Sequence, residues 1–153
     1  MTTKKEKKEL RKAKREERKN MKKLRHETFN KIIAAAKDLD LKFDLDTPDP
    51  DFADAFNEIW PVLCPTLEYA KVIRVTGPKA DKVLSIILDL GNRISTGEAT
   101  ENEKVMFSSY LDSYWNIVEM TLDIIKTFTS ESIDEVIDKV LEIGDWLTDN
   151  EDN

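Results

Sequence analysis

One histidine and one cysteine stand in the chain, so the side chains most often used as bases and nucleophiles are nearly absent. His26 lies among lysines and arginines without a cysteine cluster, which does not define a zinc site. Cys64 lies in an apolar stretch, far in sequence from the histidine that could act as its base. We expect an exposed His26 and a buried, structural Cys64. We predict no enzymatic activity and no catalytic, cofactor-binding or metal-binding residue.

Carboxylates are plentiful, but their spacing does not define a site. The aspartates between residues 38 and 51 suggest a calcium loop, yet such a loop needs glycine at its sixth position and glutamate at its twelfth. Counted from Asp40 or from Asp44, the sequence has neither, so an acidic, solvated linker is predicted. Three acidic residues near one face of a predicted helix could bind metal or transfer protons, but we expect them on its solvated flank: Asp112, Glu119 and Asp123.

The strongest signal is a segregation of charge along the chain. Residues 1–31 hold 14 Lys/Arg and 5 Asp/Glu, whereas residues 32–153 hold 10 and 26, so the formal charges are +9 and −16. This pattern indicates a basic arm on an acidic body. Thirteen cations of the arm are the candidate partner-binding or phosphate-binding residues: Lys4, Lys5, Lys7, Lys8, Arg11, Lys12, Lys14, Arg15, Arg18, Lys19, Lys22, Lys23 and Arg25.

Several partners fit such an arm. We expect its cations on all sides of a helix, where they could bind nucleic-acid phosphates through residues 1–25 by releasing counterions. No aromatic residue precedes Phe29, so base stacking is not available there. Interspersed glutamates are expected to form i,i+3 and i,i+4 ion pairs, which would suit a solvated helix without a partner. An acidic protein, including another copy of this chain, is the partner we favour; an anionic membrane surface is disfavoured, and insertion is not expected.

The elements that carry the arm follow from helix propensity and apolar spacing. Residues 4–39 contain no glycine or proline and predict one long helix. Apolar residues recur at helical spacing only from Met21 onward, so the second half should dock and the first half should project. Pro48 and Pro50 then favour an extended linker over 40–50. The predicted organisation is a basic helix (1–39), this linker, an acidic bundle (51–148) and a frayed acidic tail (149–153).

Four further helices are predicted within the bundle, at about 51–76, 79–94, 100–128 and 132–147. Pro61 and Pro65 predict a kink or a break in the first of them. Thr100 and Ser132, each followed by glutamate three residues on, are candidate capping boxes. An apolar stripe that begins at Val105 is expected to face the core in the helix over 100–128. The predicted fold class is therefore all-α, a bundle of about five helices with a long projecting basic N-terminal helix.

A repeat is visible within the bundle. Residues 81–95 align without gaps with 134–148, and the match includes Gly91 with Gly144. We interpret this as a repeated helical hairpin, 52–95 and 101–148. The alternative is that two amphipathic helices match because both need the same apolar face, although that need does not explain the shared glycine.

Composition limits the class of protein. One cysteine permits no internal disulfide, and no apolar run approaches the ~18–20 residues that span a bilayer. No secretory signal peptide is recognised, so an intracellular, cytoplasmic location is expected. These features favour a non-enzymatic protein–protein interaction or assembly protein that is oligomeric. The alternative is a nucleic-acid-associated protein that binds phosphates through the basic N-terminal helix.

Overall fold

The computed structural model describes residues 3–40, 42, 51–73 and 77–149, and every regular element within them is an α-helix. The helices are α1 (Lys4–Asp38), α2 (Phe52–Ile73), α3 (Pro78–Ser95), α4 (Glu101–Ser113), α5 (Trp115–Lys126) and α6 (Glu131–Asp149). The prediction of an all-α helical bundle is confirmed. Most of the predicted linker and tail, together with residues 74–76, lie outside the described residues.

The described part of the chain contains six helices and not five, because the helix predicted over 100–128 is interrupted at Tyr114. Tyr114 has φ −115° and ψ 14°, outside the helical range. Its carbonyl accepts the N–H of Ile117 at 3.0 Å, an i,i+3 bond that tightens the turn. One turn earlier, the Ser113 hydroxyl donates to the Ser109 carbonyl at 3.1 Å, a side-chain bond that bends helices. No glycine or proline announces this interruption.

Pro61 and Pro65 predicted a kink or a break; the break is wrong, because α2 runs continuously through both prolines, and the kink stays a prediction. Each proline removes the donor for the carbonyl four residues earlier. Those carbonyls belong to Asn57 and Pro61, which are both exposed, so water can replace the missing donors. The opposite side of α2 is buried in the core and holds the helix in place.

Helix α1 divides into an exposed half and a packed half. A capping box at its start joins Thr3 and Glu6. Residues 3–20 are all exposed, and the buried residues of α1 are Thr28, Ile32 and Ala36. Met21 also lines a groove with residues from the end of α2 and the start of α3. The exposed half therefore extends beyond that end of the bundle.

The residues at the starts of α3, α4 and α6 cap these helices in different ways. The capping box of Thr100 with Glu103 is confirmed at the start of α4. Pro78 occupies the first turn of α3, and the extended Gly77 before it is the N-cap. Helix α6 begins at Glu131, so Ser132 lies inside it and the second predicted capping box is wrong.

One core combines residues from all six helices. The largest fully buried side chains include Phe56, Phe107, Leu111, Leu122, Ile125 and Ile137. Val105, which was expected to face this core, is 63% exposed. Phe107 takes the inward position and packs edge-on against Phe56, with ring centroids 5.3 Å apart.

Two tryptophans lie directly on two helical glycines. The indole of Trp60 in α2 covers Gly91 of α3, and the indole of Trp115 in α5 covers Gly144 of α6. A Cβ atom at either glycine would overlap the six-membered part of the covering ring. Glycine therefore sets how closely α2 approaches α3 and how closely α5 approaches α6.

This contact predicts that Gly91→Ala and Gly144→Ala each destabilise the fold. We expect a loss of about 1–3 kcal/mol from the displaced indole, even after the ~1 kcal/mol that alanine gains within a helix. Urea unfolding followed by tryptophan fluorescence and by circular dichroism measures the change. Gly77→Ala is the control, because a Cβ there meets nothing within 4 Å. Core variants as stable as the wild type would contradict the close contact.

Candidate functional site

The thirteen candidate cations lie on one side of α1. At about 100° per residue in an α-helix, the Lys and Arg residues from Lys4 to Arg25 occupy roughly one half of its circumference. The opposite side carries the acidic residues of the same stretch: Glu6, Glu9, Glu16, Glu17 and Glu27. The expectation that cations surround the helix is therefore wrong. The surface formed by the thirteen cations is called the basic face below.

The ion pairs expected along α1 are also not formed. Within the described residues, no cation of the basic face lies within ion-pair distance of a carboxylate. Residues 3–20 and 22–27 are exposed, so each long side chain extends into water. Exposed pairs contribute little stability, and an ordering cost opposes them. The basic face therefore presents its charges free, and together they create a positive potential.

Three aromatic rings lie together where the basic face meets the bundle. Phe29 packs against Tyr69 of α2 at 6.1 Å between ring centroids and against Phe128 at 6.5 Å. Phe128 follows α5 and is 72% exposed, the largest value among the exposed large hydrophobic residues. The sequence reasoning missed Phe128 as a surface residue because its spacing places it at the end of a core-facing stripe. His26 lies on the basic face and is exposed, as expected.

Cys64 is only half-buried, which corrects the expectation of a buried residue. Its Sγ lies 3.8 Å from Oε1 of Glu68 and 4.0 Å from Oδ1 of Asn92. Burial, and then the neighbouring Glu68 carboxylate, raises the pKa of the Cys64 thiol to about 11. The thiol is therefore protonated near neutral pH, and a protonated thiol is a poor nucleophile.

The three acidic residues considered as acid–base groups do not converge on one place. Asp112 and Asp123 are exposed, whereas Glu119 is half-buried beside Asp145. Burial, and then Asp145, raises the pKa of Glu119. Over the residues that the structure describes, no group of three or more His, Cys, Asp or Glu side chains could hold a metal ion.

Helix α6 carries a second one-sided surface that the sequence reasoning did not identify. Six carboxylates follow its helical repeat opposite the buried side, and they are called the acidic face below: Glu131, Asp134, Glu135, Asp138, Glu142 and Asp145. The sequence signal was present, because their spacings of three, one, three, four and three residues are those of one helix face.

The acidic face has an inner edge that is bonded and an outer edge that is free. Asp145 accepts the indole N–H of Trp115 at 2.5 Å, Lys126 pairs with Asp138 at 2.5 Å, and the Thr129 hydroxyl donates to Asp134. Three glutamates form the exposed outer edge, and they have no partner among the described residues: Glu131, Glu135 and Glu142. The outer edge is therefore an unneutralised row of negative charge.

Comparison with known proteins gives no relative for this chain: no family model, no curated protein and no solved structure matches it. Over the described residues, no helix is long and apolar enough to cross a membrane.

The environment of Glu119 predicts a pH dependence of stability. Its pKa in the folded chain is raised above the ordinary 4.5, so folding favours the protonated form. The unfolding free energy should therefore fall as pH rises from the ordinary value through the raised one. Glu119→Gln removes this dependence and should stabilise the chain at neutral pH, measured by urea unfolding across an acidic to neutral series.

Glu103 supplies the control with the opposite sign. The backbone N–H of Thr100 lowers the pKa of Glu103, so its contribution is present above the ordinary value and lost on acidification. The Glu103→Gln variant should therefore be less stable than the wild type at neutral pH. Its unfolding free energy should also fall less than that of the wild type on acidification. A Glu119→Gln variant that is less stable than the wild type at neutral pH would contradict the account of Glu119.

Proposed function

We propose that this chain is a non-enzymatic protein–protein interaction or assembly protein, oligomeric, and that the basic face of α1 is its binding surface. The observation that carries the proposal is the row of thirteen cations, exposed, unpaired and confined to one side of a long helix. The partner is an acidic protein surface, which other copies of this chain also provide.

The geometry of α1 supports binding to a partner that lies beyond the bundle. Residues 4–38 form one helix without glycine or proline, the residues at which helices bend sharply. The exposed half over 4–20 is about 25 Å long at 1.5 Å per residue. It therefore presents its charge beyond the bundle as a rigid rod.

The remaining reactive groups support a binding role over a catalytic one. The Cys64 thiol has a raised pKa, and its hydrogen-bond contacts do not include His26, which is exposed among the cations of α1. The side chains within hydrogen-bond distance of the Cys64 sulfur are those of Glu68 and Asn92. Neither contact lowers the pKa of a thiol.

A nucleic acid is the second candidate partner. A one-sided row of cations can follow a phosphate backbone. The exposed Phe128, where the basic face meets the bundle, is an apolar group that could contact nucleobases. The glutamates on the opposite side of α1 and the acidic body would repel any nucleic acid that wraps further. We therefore place the acidic protein partner first.

We also propose that 52–95 and 101–148 are copies of one helical hairpin. Each copy lays a tryptophan on a glycine, Trp60 on Gly91 and Trp115 on Gly144. Residues 60–71, WPVLCPTLEYAK, align without gaps with 115–126, WNIVEMTLDIIK. Four of the aligned pairs are identical: Trp60 with Trp115, Thr66 with Thr121, Leu67 with Leu122, and Lys71 with Lys126.

The aligned threonines behave alike. Both are buried, and each hydroxyl donates to the carbonyl four residues earlier, Thr66 to Val62 at 2.6 Å and Thr121 to Ile117 at 2.7 Å. An apolar periodicity alone requires neither a threonine nor this bond. The pairing of tryptophan, glycine and threonine therefore favours descent from one unit over coincidence.

The assembly function predicts oligomers that depend on salt and on the basic face. Sedimentation velocity should show oligomers at about 0.01 M ionic strength, where the screening length is roughly 30 Å, and monomers near 1 M, where it is roughly 3 Å. Reversing three cations of the basic face should abolish the oligomers at low salt, because the attraction is lost. The three substitutions are Lys7→Glu, Arg11→Glu and Arg18→Glu.

A matched control separates the basic face from net charge. Three exposed cations elsewhere give the same change in net charge and should leave the oligomers in place: Lys37→Glu, Lys79→Glu and Lys82→Glu. A wild-type monomer in both salts would exclude self-assembly. Tight, salt-sensitive binding of duplex DNA by that monomer, lost on reversal of the basic face, would establish the second candidate in its place.

A further inference from the structure

We infer that the receptor for the basic face of α1 is the acidic face of α6 on a second copy of this chain. This inference rests on the proposed assembly function and names the two surfaces that meet. It assigns the contact to the free outer edge formed by Glu131, Glu135 and Glu142.

The free charges of the two faces are complementary. The basic face has no carboxylate within ion-pair distance, and the outer edge of the acidic face has no partner among the described residues. Within Glu131–Asp149, Lys139 is the one basic residue against seven acidic ones. Each copy thus presents one unneutralised row of each sign.

The two rows also agree in spacing and in length. Six of the thirteen cations follow spacings of three, one, three, four and three residues: Lys4, Lys7, Lys8, Arg11, Arg15 and Arg18. These are the spacings of the six carboxylates in the acidic face. At 1.5 Å per residue, residues 4–25 extend about 33 Å and α6 about 28 Å. Two helices side by side can therefore bring several opposite charges together at each turn.

The contact is not formed within one chain, since no ion pair joins the basic face to α6 among the described residues. In the single molecule, α1 approaches the start of α6 at the Phe29–Phe128 pair, where the packed half of α1 begins. The exposed half continues away from the bundle and has no residue at which to turn back. The partner must therefore be another copy, whose outer edge is equally free.

Each contact between two copies is expected to be weak, and further contacts can add to it as more copies join. A single helix against a single helix buries less surface than a stable dimer interface of about 1,600 Å². Rows of exposed charge act mainly by steering association, and salt weakens them. Because each copy carries both surfaces, two copies can exchange arms reciprocally, or further copies can extend the assembly.

The first test is zero-length carbodiimide cross-linking of the full-length wild type at low ionic strength. This reagent joins a lysine amine to a carboxylate only when the two are in contact. An equal mixture of heavy-isotope-labelled and unlabelled protein identifies the links between copies by mass spectrometry. We expect mixed-isotope links from the lysines of the basic face to Glu131, Glu135 or Glu142. Links confined to single copies, or directed mainly to other carboxylates, would overturn the inference.

The second test reverses the outer edge and follows the oligomers by sedimentation velocity at low ionic strength. The variant carries Glu131→Lys, Glu135→Lys and Glu142→Lys, and we expect it to lose the oligomers that the wild type forms. Three exposed carboxylates elsewhere give the matched control, which should keep them: Asp54→Lys, Asp89→Lys and Asp112→Lys. Circular dichroism checks that both variants remain helical.

The outcomes separate this inference from the function on which it rests. If the wild type assembles and the outer-edge variant assembles equally well, the acidic face is not the receptor although assembly stands. If the scattered control loses the oligomers as fully as the outer-edge variant, net charge alone governs the contact and the inference is wrong. A wild type that is monomeric at every ionic strength contradicts the assembly function itself, and the inference with it.

Discussion

The arrangement of the bundle depends on two indole rings that lie where glycine leaves room for them. At Gly91 and at Gly144 a Cβ atom would overlap the covering tryptophan, so these contacts fix the approach of α2 to α3 and of α5 to α6. The interruption between α4 and α5 at Tyr114 lies immediately before Trp115. A large ring against a bare backbone leaves little freedom for the two helices to slide or rotate.

This contact also connects the core to the charged surface. The indole of Trp115 covers Gly144 with its ring, and its N–H bonds Asp145, the next residue of α6. Lys126 pairs with Asp138, which lies two turns earlier along the same edge. The packing of α5 on α6 thus bonds two carboxylates of the inner edge, Asp138 and Asp145, and leaves the outer edge free. The contact between α5 and α6 therefore determines which carboxylates of the acidic face are bonded and which stay available to a partner.

Local residue patterns correctly predicted the helix limits that depend only on neighbouring residues. The absence of glycine and proline gave the extent of α1, and Thr100 with Glu103 gave the start of α4. Signals failed where tertiary contacts decide. The interruption at Tyr114 has no breaker residue, and α2 continues through Pro61 because burial of its other side holds it. The one-sided charge of α1 and α6 follows from helical spacing, so it can be predicted from the sequence. The indole contacts join different helices, so they depend on how those helices pack.

The basic face makes the exposed half of α1 less stable than its residue types suggest. Like charges four residues apart, such as Lys4 with Lys8 and Arg11 with Arg15, destabilise a helix about as much as opposite charges stabilise it. The opposite-charge neighbours at this spacing, such as Lys12 with Glu16, place the cation first, which is the weaker order. An anionic partner along the face removes this repulsion and so favours the helical form. Binding and helix stability are therefore coupled, because a partner that neutralises the face stabilises the straight helix that presents it.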